Sequence, residues 1–120
     1  MNRRAFVGIH NPDWAEEITG LFQMAGYEVL QAESADGLIG MIPRTPSERE
    51  YWVMDVNLGS PGERLHEPGE RVYRAVKERV TKGYATFISI TGHSLVEFDA
   101  KKAGIPCIDR ANIFDTLKSI

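Results

Sequence analysis

Reactive side chains stand at or just after the ends of short apolar runs of the sequence: His10, Asp55, Thr91 and Arg110. A carboxylate in such a position can act as a nucleophile, a metal ligand or a base. A nearby hydroxyl and guanidinium favour a phosphoryl group as its partner, because arginine presents a planar set of donors that matches phosphate oxygens. The pattern indicates phosphate chemistry centred on Asp55, with His10 and Asn57 as further polar residues of the pocket.

Five short apolar runs must position these side chains. We predict strands at Ala5–Ile9, Tyr27–Leu30, Tyr51–Asp55, Ala85–Ile90 and Pro106–Ile108. Continuous apolar strands that alternate with helices are typical of a parallel sheet covered on both faces, so the predicted class is α/β. Ligands of such sheets bind beyond the carboxyl ends of the strands, and the reactive residues are therefore expected to meet in one crevice.

Apolar residues recur at helical spacing between the predicted strands. The first helix starts at Asn11–Pro12 and closes at Gly26, because Asn caps, Pro suits the first turn and Gly ends helices. The other helices are predicted to begin at Ser34, to carry Val72, Val76 and Val80, and to span Ser94–Ala103 and Ala111–Ile120, with a long loop over Asn57–Gly69.

The bulk composition fits one domain over residues 1–120, either free-standing or part of a longer protein. A net charge of -3 argues against a nucleic-acid partner, because phosphate backbones bind clustered Lys and Arg. No apolar run is long enough to cross a membrane. Cys107 is the one cysteine, which excludes an internal disulfide and is typical of a cytoplasmic protein.

The chain resembles the receiver domain of two-component response regulators, the CheY-like family, over nearly its whole length. Segments of the sequence similar to that family, in chain order, are NPDWAEEITGLFQMAGYEV, VMDVNLG, GERVYRAVKER, ISITGH and AGIPCIDRANIFDTLKSI. The resemblance implies a five-stranded parallel sheet of strand order 2-1-3-4-5, a flavodoxin-like arrangement with helices on both faces.

By that resemblance, Asp55 would accept a phosphoryl group from a histidine kinase or a phosphotransfer protein. Asn57 would offer its backbone carbonyl to Mg²⁺, and Thr91 would hydrogen-bond the phosphoryl oxygens, with Arg110 also in contact with them. The domain would then signal to a downstream protein through its surface, as a phospho-acceptor and not as an ordinary enzyme.

Several positions depart from the family pattern. Two adjacent acids normally hold the Mg²⁺, and Ile9 and His10 align with them. Because Mg²⁺ prefers hard oxygen ligands, this makes a magnesium site doubtful. Arg110 replaces the family's Lys, and Ala111 replaces the Pro after it, so the bond between them is expected to be trans. Cys107 stands where the family has a switch aromatic, and the loop over Gly59–Pro68 is longer than usual.

Each candidate residue has a structural alternative. Asp55 could cap a loop, and Thr91 could cap the following turn or helix, which is compatible with a phosphate contact. Arg110 could form an ion pair with Asp55 that lowers the pKa of the acid. His10 could bind a metal, although a lone histidine among polar loop residues is more often structural.

Three classes of function remain open at this point. The leading hypothesis is a receiver domain phosphorylated on Asp55. The alternative is a pseudo-receiver, a protein-interaction module that works without phosphorylation. A flavodoxin-like cofactor binder or small-molecule enzyme is the remote third class, because the sequence contains neither a P-loop nor a G-x-G-x-x-G motif.

Overall fold

The computed structural model describes residues 3–59 and 65–120, which form a parallel sheet flanked by helices. The strands are β1 (Arg3–Gly8), β2 (Glu28–Gln31), β3 (Arg49–Asp55), β4 (Ala85–Thr91) and β5 (Cys107–Asp109). The helices are α1 (Pro12–Met24), α2 (Ala35–Gly40), α3 (Glu67–Thr81), α4 (Ser94–Lys102) and α5 (Ile113–Thr116), with 3₁₀ turns at Arg110–Asn112 and Leu117–Ser119.

The sheet has the order β2-β1-β3-β4-β5, and all neighbouring strands are parallel. The predicted α/β class and the 2-1-3-4-5 order are therefore confirmed. β3 is the central strand, which explains its nearly continuous apolar sequence, since strands covered on both faces bury both sets of side chains.

Two apolar cores lie on opposite faces of the sheet. One core packs the sheet against α2, α3 and α4, and its largest members include Trp52 and Phe6, whose rings stack with centroids 3.9 Å apart. The other core packs the sheet against α1 and α5, and it includes Ile18, Phe22 and Ile113. Alternate residues of β3 thus serve different cores, and the strand end that carries Asp55 is anchored from both sides.

The helix ends follow their sequence signals. The Asn11 Oδ1 accepts hydrogen bonds from the backbone N–H groups of Asp13 and Trp14, at 2.9 and 3.2 Å, and Pro12 opens α1. Gly26, with φ 87°, lies in the left-handed region just after that helix, where glycine avoids the strain that a Cβ would introduce. The predicted bounds of α1 are confirmed.

Some predicted bounds are wrong. β1 and β3 begin earlier than their apolar runs, because the parallel ladder already pairs Arg3 with Arg49 and Arg4 with Glu50. α3 begins at Glu67, inside the stretch predicted as a loop, and places a proline in its first turn, where no backbone N–H is required.

The last helix is also shorter than predicted. Only Ile113–Thr116 is α-helical, and 3₁₀ turns flank it on both sides. Asp109 Oδ1 accepts a hydrogen bond from the Ala111 N–H at 2.8 Å, and the Thr116 hydroxyl donates to the Asn112 carbonyl at 2.9 Å. Such side-chain bonds compete with regular helical geometry.

In the part of the chain that the structure describes, no helix has the length and apolar character that a membrane crossing requires. Half of the loop predicted at Gly59–Pro68, residues 60–64, lies outside the described residues.

Candidate functional site

A cleft of about 640 Å³ opens at the carboxyl ends of the strands, and the predicted site residues line it. Asp55 comes from β3, Thr91 from β4 and Arg110 from the turn after β5, and His10 and Asn57 lie on the loops after β1 and β3. The structure thus brings all five residues together, and their chemical roles stay predictions.

Asp55 is the half-buried carboxylate of this cleft. Its Oδ2 accepts a hydrogen bond from the backbone N–H of His10, at 2.6 Å. Burial raises the pKa of Asp55, and it outweighs the His10 hydrogen bond and the charges of His10 and Arg110, which act in the opposite direction. An ion pair with Arg110 was expected to lower this pKa. The net shift is upward, so that expectation is wrong.

Thr91 is the last residue of β4 and is only 8% exposed. Its Oγ1 accepts a hydrogen bond from the backbone N–H of His93 at 3.1 Å, which stabilises the turn that leads into α4. This is the turn-capping alternative that the sequence left open. The hydroxyl proton remains available for a second partner in the cleft, because a hydroxyl both accepts and donates.

Arg110 is exposed at the edge of the cleft and lies near Trp14. Its guanidinium carbon lies 5.9 Å from the ring centre of Trp14, within the range of a cation–π interaction. Gly92 makes room on another side, because a Cβ at that position would lie 2.8 Å from the Arg110 Nε.

The ion-pair alternative for Arg110 is wrong. The ion pairs within 4.0 Å among residues 3–59 and 65–120 do not include Arg110. The peptide bond between Arg110 and Ala111 is trans, as the missing proline predicts.

The residues of the cleft do not fit a magnesium site of the receiver kind. Asp55 is the one carboxylate among the described residues that line the cleft, and one of its oxygens already accepts the His10 N–H. Ile9 and His10 occupy the positions of the family's acid pair, and Asp13 does not line the cleft. The described side chains also contain no cluster of three or more His, Cys, Asp or Glu that could share a metal.

Cys107 lies in β5 and is buried, as its place in an apolar run predicts. Burial raises the pKa of its thiol, so the nucleophilic thiolate is disfavoured.

Sequence reasoning missed three contributors to the cleft: Trp14, Gly92 and the backbone N–H of His10. Trp14 lies in the first turn of α1, which places it beside the strand ends. Gly92 directly follows Thr91, and a glycine at a strand end can indicate close approach of another group. The bond from His10 to Asp55 involves the main chain, which side-chain types do not reveal.

No family model matches the chain, and none of the curated proteins matches it. Solved structures do resemble it, among them three receiver domains or response regulators. The first is the response regulator TrrA of Thermotoga maritima in complex with Mg²⁺ and BeF, with a TM-score of 0.66 and 21% identity over 99% of this chain and 95% of that one.

The second similar structure is the receiver domain of a sensor histidine kinase from Pseudomonas aeruginosa, with a magnesium ion in its active-site cleft. Its TM-score is 0.64 with 16% identity, over 99% of this chain and 97% of that one. The third is the chemotaxis protein CheY4 of Vibrio cholerae, with a TM-score of 0.63 and 16% identity, over 100% and 98% of the chains. These similarities show that the chain has the CheY-like fold of response regulator receiver domains.

Proposed function

We propose that the chain is a receiver-like signalling domain that acts through protein–protein contact without phosphorylation of Asp55. The CheY-like fold supports a signalling role, and residues 1–120 would act as one domain with no turnover of its own. Its partner would be a downstream signalling protein. This is the pseudo-receiver alternative, and the geometry of the cleft favours it over the phospho-acceptor hypothesis.

The observation that carries this proposal is the state of Asp55. Phosphoryl transfer to a receiver carboxylate depends on a metal that neutralises the charge of the transferring group. Here Ile9 and His10 align with the two positions that carry acids in receiver domains. The His10 N–H also donates a hydrogen bond to one Asp55 oxygen at 2.6 Å.

Phospho-acceptance at Asp55 is the second candidate. Its support is that Asp55, Thr91 and Arg110 line one cleft, as the acceptor, hydroxyl and cation of a receiver would. A histidine kinase or phosphotransfer protein would then be the upstream partner, and Mg²⁺ would have to be held by Asp55 and the Asn57 carbonyl with water.

Incubation with acetyl phosphate and Mg²⁺, followed by mass spectrometry of the intact protein, separates the two candidates. We expect no added phosphoryl mass, with a conventional receiver domain as a positive control run in parallel. A phosphoryl group mapped to Asp55 and absent from the Asp55→Asn variant would overturn the proposal. Backbone amide shifts of Asp55 and Thr91 on addition of Mg²⁺ and beryllofluoride are likewise expected to stay flat.

A further inference from the structure

A second concavity, of about 1050 Å³, lies between α1, the end of β2 and α2, and we call it the α1–α2 groove. It adjoins the cleft described above, but Asp55, Thr91 and Arg110 do not line it. Its apolar lining is buried or half-buried and comes from Ile9, Ala15, Ala32, Met41 and Leu58. This lining therefore belongs to the packed body of the domain.

The walls of the α1–α2 groove are joined to one another. The side-chain amide of Gln31 donates a hydrogen bond to the Thr19 hydroxyl at 3.2 Å, which links the end of β2 to α1. A Cβ at Gly59 would lie 2.8 Å from the Glu33 carbonyl oxygen, so the backbone after β3 packs closely on the backbone after β2. The groove is therefore formed by elements that the sheet already positions.

The polar rim of the groove is acidic. Glu16 on α1 and Glu33 between β2 and α2 line it, and both are exposed. His10 is the one basic residue among the described lining residues. Eight acids form ion pairs within 4.0 Å among residues 3–59 and 65–120, and neither Glu16 nor Glu33 is one of them.

Apolar lining beside unpaired carboxylates favours a ligand that is apolar along its body and positive at its tip. Lysine and arginine have this form, because their alkyl stems cover apolar surface while the charged head stays near water. The same carboxylates would repel a nucleic acid or an anionic lipid surface.

The polar lining also separates a protein partner from a small molecule. Small-molecule sites enclose the ligand and orient it with a few well-placed polar groups. Here the polar side chains of Glu16, Gln31 and Glu33 are all exposed at the rim. A segment of another protein therefore suits the groove better than a small cofactor does.

We propose that the α1–α2 groove docks a basic segment of a partner protein, in which lysine or arginine side chains stand beside apolar ones. Glu16 and Glu33 pair with the cationic heads, and the apolar lining takes up the stems and the apolar side chains. The inference rests on the proposed function, since it gives the surface and the chemistry of the partner through which a receiver-like domain would act.

Titration with capped synthetic peptides, without Mg²⁺ or a phosphodonor, tests the groove. The probe is a peptide of three leucine–arginine repeats, and matched peptides replace leucine by serine or arginine by glutamate. We expect saturable backbone amide shifts at Thr19, Ala32 and Gly37 with the probe, weaker binding of the serine peptide and none of the glutamate peptide. Added salt is expected to weaken binding, because it screens exposed charges.

Glu16→Gln and Glu33→Gln are each expected to weaken binding of the leucine–arginine peptide roughly 2- to 5-fold, in line with exposed ion pairs. The double variant is expected to weaken it further. Glu17→Gln is the matched control, because Glu17 is the neighbouring exposed acid of α1 and does not line the groove. Its substitution removes the same charge and is expected to leave the affinity nearly unchanged.

Absence of saturable binding by the leucine–arginine peptide, equal binding of the serine peptide, or equal losses in Glu16→Gln and Glu17→Gln would each overturn the proposal. A protein mass that rises with concentration in light scattering, and does so less in Glu16→Gln, would assign the groove to a second copy of the chain and overturn it as a partner site. A phosphoryl group on Asp55 would contradict the proposed function and leave the peptide result standing.

Discussion

Asp55 is a carboxylate that the fold makes harder to ionise. Burial raises its pKa, and the opposing effects of His10 and Arg110 are smaller. An acid with a raised pKa binds protons more readily in the folded than in the unfolded chain. The stability that this residue contributes therefore falls as the pH rises through the interval between the ordinary aspartate pKa and the raised folded one.

Asp55→Asn is expected to raise the free energy of unfolding above that interval, because it removes a partly buried charge while its amide oxygen still accepts the His10 N–H. The difference from wild type is expected to shrink as the pH falls below the interval. Urea unfolding over a series of pH values measures this difference. Asp99→Asn is the control, since Asp99 is exposed on α4 and its substitution is expected to have little effect; a destabilised Asp55→Asn at neutral pH would contradict the expectation.

Candidate residues were easier to predict than their contacts. The ends of apolar runs marked Asp55, Thr91 and Arg110, because parallel strands deliver their ends to one edge of the sheet. The positions of these residues at strand ends did not determine which of their atoms are in contact. The pattern suggested an Asp55–Arg110 ion pair, whereas the guanidinium lies against Trp14 and the carboxylate bonds to a main-chain donor.

Helix α1 offers a matched pair of glycines at the scale of the element. Gly20 lies inside the helix with open space where a Cβ would lie, and Gly26 lies just beyond the end with φ 87°. Gly20→Ala is expected to stabilise the protein by about 0.5–1 kcal/mol, because alanine loses less backbone entropy in a helix. Gly26→Ala is expected to destabilise it by about 1–2 kcal/mol, because a Cβ is strained in the left-handed region.

Thermal and urea unfolding of the two glycine variants compare their effects directly. Neither new Cβ has a neighbour within 4 Å, so packing does not obscure the backbone effect. Equal shifts of the same sign in both variants would contradict the assignment of the helix end.

A buried ion pair joins α3 to the start of β3. Arg79 Nε and Nη2 donate to the two carboxylate oxygens of Glu50, both at 2.9 Å, and the Trp52 indole N–H donates to Glu50 at 3.1 Å. Burial alone would raise the pKa of Glu50, but hydrogen bonding, first from Arg79 and then from Ser47 and Trp52, together with the charge of Arg79, outweighs burial, and the net pKa is lowered. Glu50 is 0% exposed, so it depends on these partners to remain charged.

Arg79→Met is expected to cost about 3–5 kcal/mol, because it leaves the Glu50 carboxylate buried without its cation. Adding Glu50→Gln to that variant is expected to restore part of the loss, since the buried charge is then removed as well. Lys82→Ala, which breaks the exposed pair with Glu78, is the control and is expected to change stability little. Chemical denaturation measures all three, and a double variant less stable than Arg79→Met would contradict the account.

At the scale of the whole molecule, one sheet supports two separate cores. Trp52 anchors the core beneath α2, α3 and α4, and Phe22 anchors the core beneath α1 and α5. The two residues are 1% and 0% exposed, and both cores pack against the same central strand. Loss of packing on either face is therefore expected to weaken the whole sheet.

Trp52→Ala and Phe22→Ala are each expected to cost about 3–5 kcal/mol, the usual range for removing a buried aromatic side chain. In both variants, circular dichroism in the far and near ultraviolet is expected to report one common transition. Phe98→Ala is the control, because Phe98 is 63% exposed on α4 and its loss is expected to change stability little. Separate transitions for the two faces would contradict a single cooperative unit.

Much of the architecture could be predicted from sequence because hydrophobic periodicity and the residues that begin and end helices are local properties of the chain. Alternating apolar runs and helical patterns indicated five parallel strands, and Asn11 and Gly26 marked both ends of α1. The failures were also physical. Arg3 and Arg49 look like loop residues, yet they pair in the ladder, and the final helix gave way to 3₁₀ turns where side-chain hydrogen bonds compete with it.

The bond from the His10 amide to Asp55 has a consequence for any attempt to convert this cleft into a metal centre. The donor belongs to the main chain, so every residue other than proline at position 10 would supply it. Restoring acids at positions 9 and 10 would return the missing charge, but it would leave one oxygen of Asp55 engaged. Redesign would have to move the backbone after β1, so the loop conformation, and not only the choice of side chains, sets the chemistry open to this carboxylate.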